Sequence, residues 1–585
     1  MSLEVESPWQ YENVNDITGG VNISVRPEEI EKSEFVDILN MYYRNHRLVV
    51  DTGYQTFLGT VRGAPRAQFQ FFKKSGSSEN MLITDDTVYT ETNDEWQYVS
   101  NGTSTTLTAG AATSATSLTV ASIAGFANGD FIGIELDDGS QHQTTVNGTP
   151  VGSTINITDA MPSAAAIGNT VLEAVSLNGT GDNQVSIAVM SAFDYMVFTN
   201  GADNVMYYDG SSIQDIPNLP SSGNCKCKAV AVYENYLLLI HTIEGGTAYP
   251  QRVRWSDTAD PTEWAAGNAG YNDLYDSEDF NITALALGPY MIIYKERSIV
   301  RMEYVGATDK LFNFDTVVTG EGAVSVDSVV DIGTEHIFMG NANVYRYGGG
   351  FDVGPVGDRV WNKLFGRDRE INPNEVSKCI CIYIEELDEI WLFYPDATAT
   401  YPNKLARMSL ENEAWTFRDL DIAITGYGFY QTNDTLKWNE LIGSWLVQTF
   451  KWGGAQTKAN SPTTILLSST GSNQAYEYNY VVGTDNGTTI TWQFETKDFY
   501  NPQNKFRTGF LDIKCKGATL TIEYSIDGGS TWGSWCSDLT LDSNYVRYRK
   551  YKQVIADQIR FRCKGTGPGF GMEWYGFRYM PESLV

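Results

Sequence analysis

Tyr290-Met291-Ile292-Ile293-Tyr294 is followed by the polar turn Lys295-Glu296-Arg297 and then by Ser298-Ile299-Val300-Arg301-Met302. The first run is apolar without a break, which predicts a strand buried on both faces. The second alternates, which predicts a strand buried on one face. The same grammar recurs on either side. Met81–Thr84 precedes Thr87–Tyr89, Tyr195–Phe198 precedes Val205–Tyr208, and Tyr236–Ile240 precedes Arg252–Trp255. Downstream, His336–Met339 precedes Val344–Gly348, and Glu389–Tyr394 precedes Leu405–Met408. The spacing is irregular but centres on about 40–50 residues, the size of a propeller blade. A blade buries its faces only against its neighbours, so a ring of blades satisfies all of them. Stacked β-sandwiches are the competing arrangement, and the repeat size favours the propeller.

Outward from these repeats the pattern changes three times. Residues 102–175 turn to Ala, Thr, Ser and Gly with no Lys or Arg, and short strands alternate with turns such as Asn128-Gly129-Asp130. This predicts a small β-barrel inserted in a propeller loop. From residue 488 a run of strands predicts a C-terminal β-sandwich. Near the N-terminus, Pro27 followed by Ile30, Phe35, Ile38, Leu39 and Tyr42 predicts a helix, with Glu28, Glu29 and Glu31 in its first turn. The expected fold is all-β, an irregular β-propeller with an inserted small β-barrel and a C-terminal β-sandwich. The expected divisions are an N-terminal arm with a short helix (1–60), first propeller strands (61–101), the barrel (102–175), the propeller (176–487) and the sandwich (488–585).

The chain has 585 residues, 41 Lys+Arg against 72 Asp+Glu, and a net charge of −31. A surface this acidic repels duplex phosphates and argues against a sequence-reading DNA-binding domain. The 42% apolar fraction is ample for large cores, so the charge does not signal disorder. No Lys or Arg occurs between Lys74 and Lys226, a stretch with 17 Asp and Glu. Residues 501–585 instead hold 12 Lys+Arg and 8 Asp+Glu, a local net charge of +4. Seven cysteines, an odd number, make a poor disulfide framework and favour reduced thiols. No signal peptide is visible, and no apolar run approaches the ~18 residues a spanning helix needs.

Most motifs read structurally. Ser525-Ile526-Asp527-Gly528-Gly529-Ser530-Thr531-Trp532 fits the Asp-box pattern of sialidases. Asp527 can bond turn amides, Gly529 tolerates positive φ and Trp532 packs beneath, so it is expected to be a stabilising turn. Cys225-Lys226-Cys227 and Cys379-Ile380-Cys381 lack the spacing of metal knuckles. Acid runs such as Asp273 to Asp279 read as solvated faces. No P-loop, nucleophile elbow or zinc-protease motif is present. No catalytic, metal-binding or cofactor-binding residue is expected, and neither is enzymatic activity. Two charged features remain. Asp130, Glu135, Asp137 and Asp138 are candidates for an acidic channel lining. Arg547, Arg549, Lys550 and Lys552, interleaved with tyrosines, are candidates for a cationic strand face at a subunit interface.

Two stretches resemble the tail nozzle, or tail hub, proteins of short-tailed bacteriophages. One is Gly19-Gly20-Val21-Asn22, Pro27, Glu34, Asn40, Leu48 and Gly53, although Val50-Asp51-Thr52-Gly53 stands where that family often has Arg-Pro-Gly. The other runs from Met291 through Gly320-Glu321-Gly322-Ala323 and Ser328-Val329-Val330 to Val344-Tyr345-Arg346-Tyr347-Gly348. The resemblance implies a virion tail protein, assembled in the host cytoplasm as a homohexameric ring below the portal and adaptor. It also implies docking of tail fibres or spikes, retention of packaged genomic DNA, and its passage without sequence readout. An acidic lumen suits such passage, since phosphates find no cation to dwell on. The competing expectation is a carbohydrate-active or carbohydrate-binding propeller of sialidase type.

Overall fold

The computed structural model describes residues 9–275, 278–307, 310–367, 369–431, 462–479, 481–501 and 505–581. Residues 432–461, within the range expected for the propeller, and Asp276, within the Asp273–Asp279 acid run, lie outside them.

The Tyr290 unit is the centre of a four-stranded antiparallel blade formed by Asn281–Leu287, Tyr290–Lys295, Ser298–Tyr304 and Phe312–Thr319. Its two central strands face both neighbours. Met291, Ile293, Val300 and Met302 pack with Leu238 and Ile240 of the preceding blade. Ile292, Tyr294 and Ile299 pack with Phe338 and Tyr345 of the following one. The Ser298 strand was expected to bury one face, but Ile299, Val300 and Met302 are all buried because a blade interior has a neighbour on each side.

Among the described residues seven such four-stranded units follow one another, beginning at Pro65–Phe72, Ser186–Met190, Cys225–Tyr233, Asn281–Leu287, Val329–Asp331, Ile380–Ile384 and Ile424–Tyr430. The last blade takes only three strands from its own stretch. Its outer strand is Tyr54–Phe57, which pairs antiparallel with Gln474–Tyr478. A chain segment from before the first blade thus completes the last and closes the ring.

A buried ionic knot pins that seam. The Asp51 carboxylate lies 2.7 Å from Arg407 and 3.0 Å from Arg418, and Arg418 reaches Asp485 at 2.5 Å. The Tyr478 hydroxyl donates to Asp51. Burial would raise the Asp51 pKa, but the two guanidinium groups hold it below the usual carboxylate range.

Between the first and second blades, a four-stranded sheet (Ser100–Thr106, Phe131–Glu135, Gln141–Thr145, Thr170–Ala174) and a two-stranded one (Ser117–Thr119, Thr154–Asn156) enclose their own core of Leu118, Ile132, Ile134, Ile155 and Val171. This module leans on the first blade. Gln141 Oε1 accepts from the Tyr98 amide at 2.7 Å, and Arg62 lies 3.9 Å over the Phe131 ring.

The expected N-terminal helix is corrected to strands. Glu34–Leu39 runs between Trp415–Asp419 of the sixth blade and Thr491–Thr496. Met41–Arg44 and Arg47–Val50 form a hairpin turned by Asn45 and His46, both at positive φ. Asn40, at φ 57°, interrupts any helix that could have joined them. Nor is this segment a free arm. Gln10–Val14 and Arg47–Val50 both pair with Gly571–Pro581, so the N-terminal strands complete the terminal sandwich. One sheet contains the hairpin, Gly571–Pro581, Phe506–Lys516 and Val546–Tyr551, and the facing sheet contains Glu34–Leu39, Thr491–Thr496, Gln558–Thr566 and Thr519–Ser525. Phe35, Ile38, Ile513, Phe561 and Phe577 fill the space between, in a core continuous with Trp415 and Met408 of the sixth blade.

Candidate functional site

The sequence placed Arg547, Arg549, Lys550 and Lys552 together, and the structure divides them. Alternation along Val546–Tyr551 sends Arg547 and Arg549 to the outer face of their sheet, where both bond Asp512. Lys550 lies opposite Leu511 on the other side, and Lys552 donates to the Ser534 carbonyl at 2.6 Å. The four therefore do not form one face, as a two-residue period requires. Arg560, Arg562 and Lys564 lie in the facing sheet, paired with Asp498, Glu495 and Glu523.

A different cationic surface emerges, which sequence spacing could not show because four separate segments build it. Arg547 lies 5.6 Å over Trp574, and Arg549 lies 5.1 Å over Phe510. Arg47, from the N-terminal hairpin, lies 4.5 Å over Tyr545 and shares Glu573 with Lys514. Lys516 stands 5.2 Å from the same Tyr545 ring. With Arg44, these two cations line an open cavity of about 430 Å³ against Tyr545 and Phe570. Asp512 and Glu573 are the carboxylates bonded within this surface. Burial opposes the charge on Asp512, but hydrogen bonds from Arg549, Arg547 and Tyr11 hold its pKa down at about 2. Arg547 and Arg549 remain 47% and 50% exposed while held in place. The surface is thus cationic, aromatic-backed and preorganised.

The acidic residues of the inserted module are spread over both ends of one strand. Asp130 precedes Phe131–Glu135, whereas Asp137 and Asp138 follow it. Much of their hydrogen-bonding capacity is used locally. Asp137 accepts from the Ala166 amide, Glu135 from Thr170, and Asp138 from Ser140, which lowers the Asp138 pKa. They do not form a single acidic wall within the chain.

At the Asp box, Asp527 accepts from the Thr531 amide at 2.9 Å and from the Ser525 and Thr531 hydroxyls, and its pKa falls to about 2. Gly529, at φ 92°, provides the left-handed turn, and Trp532 lies under the Arg562 guanidinium at 4.0 Å. The carboxylate is engaged in holding a turn. The two cysteine pairs pack into different cores, so the four sulfurs do not meet. Burial pushes the Cys225 and Cys381 thiols up to about 12.

Sequence reasoning missed a cavity of about 510 Å³ on the propeller axis. It is walled by the innermost strands of six of the seven blades, with Gln68, Ser186, Thr283, Asp327 and Tyr427 among the polar residues. Asp327 is the one charged side chain in the described wall. It sits in a short 3₁₀ turn, Val326–Ser328, and its amide donates to Gln184 Oε1. Burial alone raises its pKa to about 7. A glycosidase needs two facing carboxylates, and the described wall supplies one.

No protein-family model matches the chain, and neither does any curated protein sequence. Similar solved structures include the dihydro-heme d1 dehydrogenase NirN in complex with DHE, at 9% identity and TM-score 0.29, covering 73% of this chain and 75% of that one. They also include regucalcin, a calcium-binding protein from Agrobacterium tumefaciens, at 10% identity and TM-score 0.26, covering 50% and 89%. A third is the exo-beta-1,3-galactanase of Phanerochaete chrysosporium, at 9% identity and TM-score 0.23, covering 68% and 96%. The expectation of a chain without enzymatic activity is withdrawn on this finding, because enzymes stand among these neighbours. Likeness this distant assigns no activity.

Proposed function

We propose that the chain is a ring-forming subunit of a short-tailed phage tail, extending the channel through which packaged DNA leaves the particle. The observation that carries the proposal is the preorganised cationic surface of the terminal sandwich in a chain of net charge −31. Such a surface suits a joint with an acidic neighbour, because complementary potentials steer association and fix register. A second copy offers abundant acid, including the inserted module, which has no Lys or Arg. The low cation content elsewhere suits passage of DNA without prolonged contact. The resemblance of the Gly19–Gly53 and Met291–Gly348 segments to tail nozzle proteins supports the same reading. Electron microscopy of the purified protein at low salt tests it. Rings with an open centre are expected, and a monomer at high concentration by light scattering overturns the ring.

A further inference from the structure

We infer that the axial cavity is a binding site for a small organic ammonium ion, held by the Asp327 carboxylate against aromatic walls. The inference is independent of the ring proposal. It starts from the cavity's inventory of polar groups. Several of the side-chain polar groups that face inward are already occupied. Gln70 donates through Nε2 to the Gln431 carbonyl and accepts at Oε1 from the Gln431 amide, both at 2.8 Å. The Ser186 hydroxyl donates to the Val230 carbonyl and accepts from its amide. Gln68 donates through Nε2 to Asn80.

What remains includes the Asp327 carboxylate, the charged group of the described wall. Among the described residues the Asp327 carboxyl accepts no hydrogen bond, whereas Gln68 Oε1 is closed off inside the wall. No Lys, Arg or His lines the described wall. A described wall with a carboxylate and no cation repels anions and favours a ligand that brings N–H donors and positive charge. The rest of the lining fits the apolar portion of such a ligand. Phe69, Tyr427 and Phe429 supply ring surface, and Ile187 and Leu285 supply aliphatic surface. An ammonium group gains from ring faces as well as from the carboxylate. The volume, about 510 Å³, lies within the range of small-molecule sites. Phe72, 54% exposed, also lines the cavity, so it reaches solvent.

Titration adds a signature. Asp327 changes charge near pH 7, pushed up by burial. Tyr427, which faces it from the last blade, and Cys381 beyond Tyr427 are both raised by burial and stay neutral there. Binding of a cation requires the carboxylate, so the ligand competes with one proton. Affinity rises as pH climbs to about 7 and levels off above it.

The test is calorimetric titration of the full chain with n-butylammonium chloride at pH 5.5 and pH 8, with n-butanol and galactose as neutral probes. Binding at pH 8 that weakens at least tenfold at pH 5.5, with neither neutral probe binding, is expected. Asp327→Asn, checked for an unchanged circular dichroism spectrum, should abolish it. Absence of binding at millimolar butylammonium, binding unaffected by pH, retention in Asp327→Asn, or a preference for galactose would each overturn the inference. The pH dependence of the unaltered chain decides the matter even if the variant does not fold.

Discussion

Asp51 is buried and Asp327 is half-buried beside the axial cavity, and their surroundings send them opposite ways. Asp51 has two guanidinium partners and stays ionised. Removing a single member of such a network leaves uncompensated buried charge, which costs roughly 3–5 kcal/mol. Asp51→Asn should therefore lower unfolding stability in denaturant by about that amount. Because its folded pKa is depressed, the stability from ionised Asp51 is present above the ordinary carboxylate range and is lost as pH falls below that range through the depressed folded pKa. Asp327 has no cation beside it, so its pKa is raised to about 7. Here the protonated form is favoured. That contribution is full below the unfolded pKa and is lost as pH rises through about 7. Asp327→Asn should match the parent near pH 4 and exceed it by on the order of 2 kcal/mol at pH 8, seen as a pH-dependent gap in denaturant midpoints. Neither fate was legible locally. Asp51 looked like a departure from Arg-Pro-Gly, and Asp327 lies in an ordinary Ser-Val-Asp-Ser turn. The partners of Asp51 lie hundreds of residues along the chain, and the wall around Asp327 is drawn from separate blades.

At the scale of elements, the continuous apolar runs made the blades legible, because a strand between two blades has no polar face to show. The N-terminal segment misled for a physical reason. Phe35, Ile38, Leu39 and Tyr42 satisfy a helical period, but they also satisfy a strand and a hairpin separated by a left-handed residue. The decisive partners, Thr491–Thr496 and Gly571–Pro581, are far along the chain. The same distance hid the closing strand Tyr54–Phe57. Its approach depends on Gly53, where an added Cβ would stand 1.8 Å from the Thr484 carbonyl oxygen. No side chain can yield there, since the obstacle is backbone. Gly53→Ala should displace the closing strand and unpin the Asp51 knot beside it. The expected result is a loss of several kcal/mol by denaturant titration, with hydrogen exchange accelerated first in Gln474–Tyr478, the strand that Tyr54–Phe57 pairs with.

For the whole molecule, charge is the quantity that links sequence to assembly. The net +4 of residues 501–585 was readable from composition, but its use was not, because its cations lie on strands of two sheets, alternation divides them again between faces, and an N-terminal hairpin adds others. This geometry also changes which variant tests the joint. Reversing Arg547 or Arg549 would strip Asp512, whose side chain is 0% exposed, of its partners and confuse unfolding with dissociation. Arg44 and Lys516 line the neighbouring cavity, and the ion pairs of the surface run through Asp512 and Glu573 to other residues. Arg44→Glu with Lys516→Glu therefore reverses charge at the joint with those pairs intact. Association should fall at least tenfold by light scattering while the thermal midpoint of the monomer shifts little. Added salt should mimic the double variant in the parent, because the screening length shrinks from about 10 Å at 0.1 M to about 3 Å at 1 M. Lys552→Glu, on the opposite side of the strand, should leave association unchanged. Equal loss from Lys552→Glu, or assembly indifferent to both salt and Arg44/Lys516 reversal, would show that this surface is not the joint.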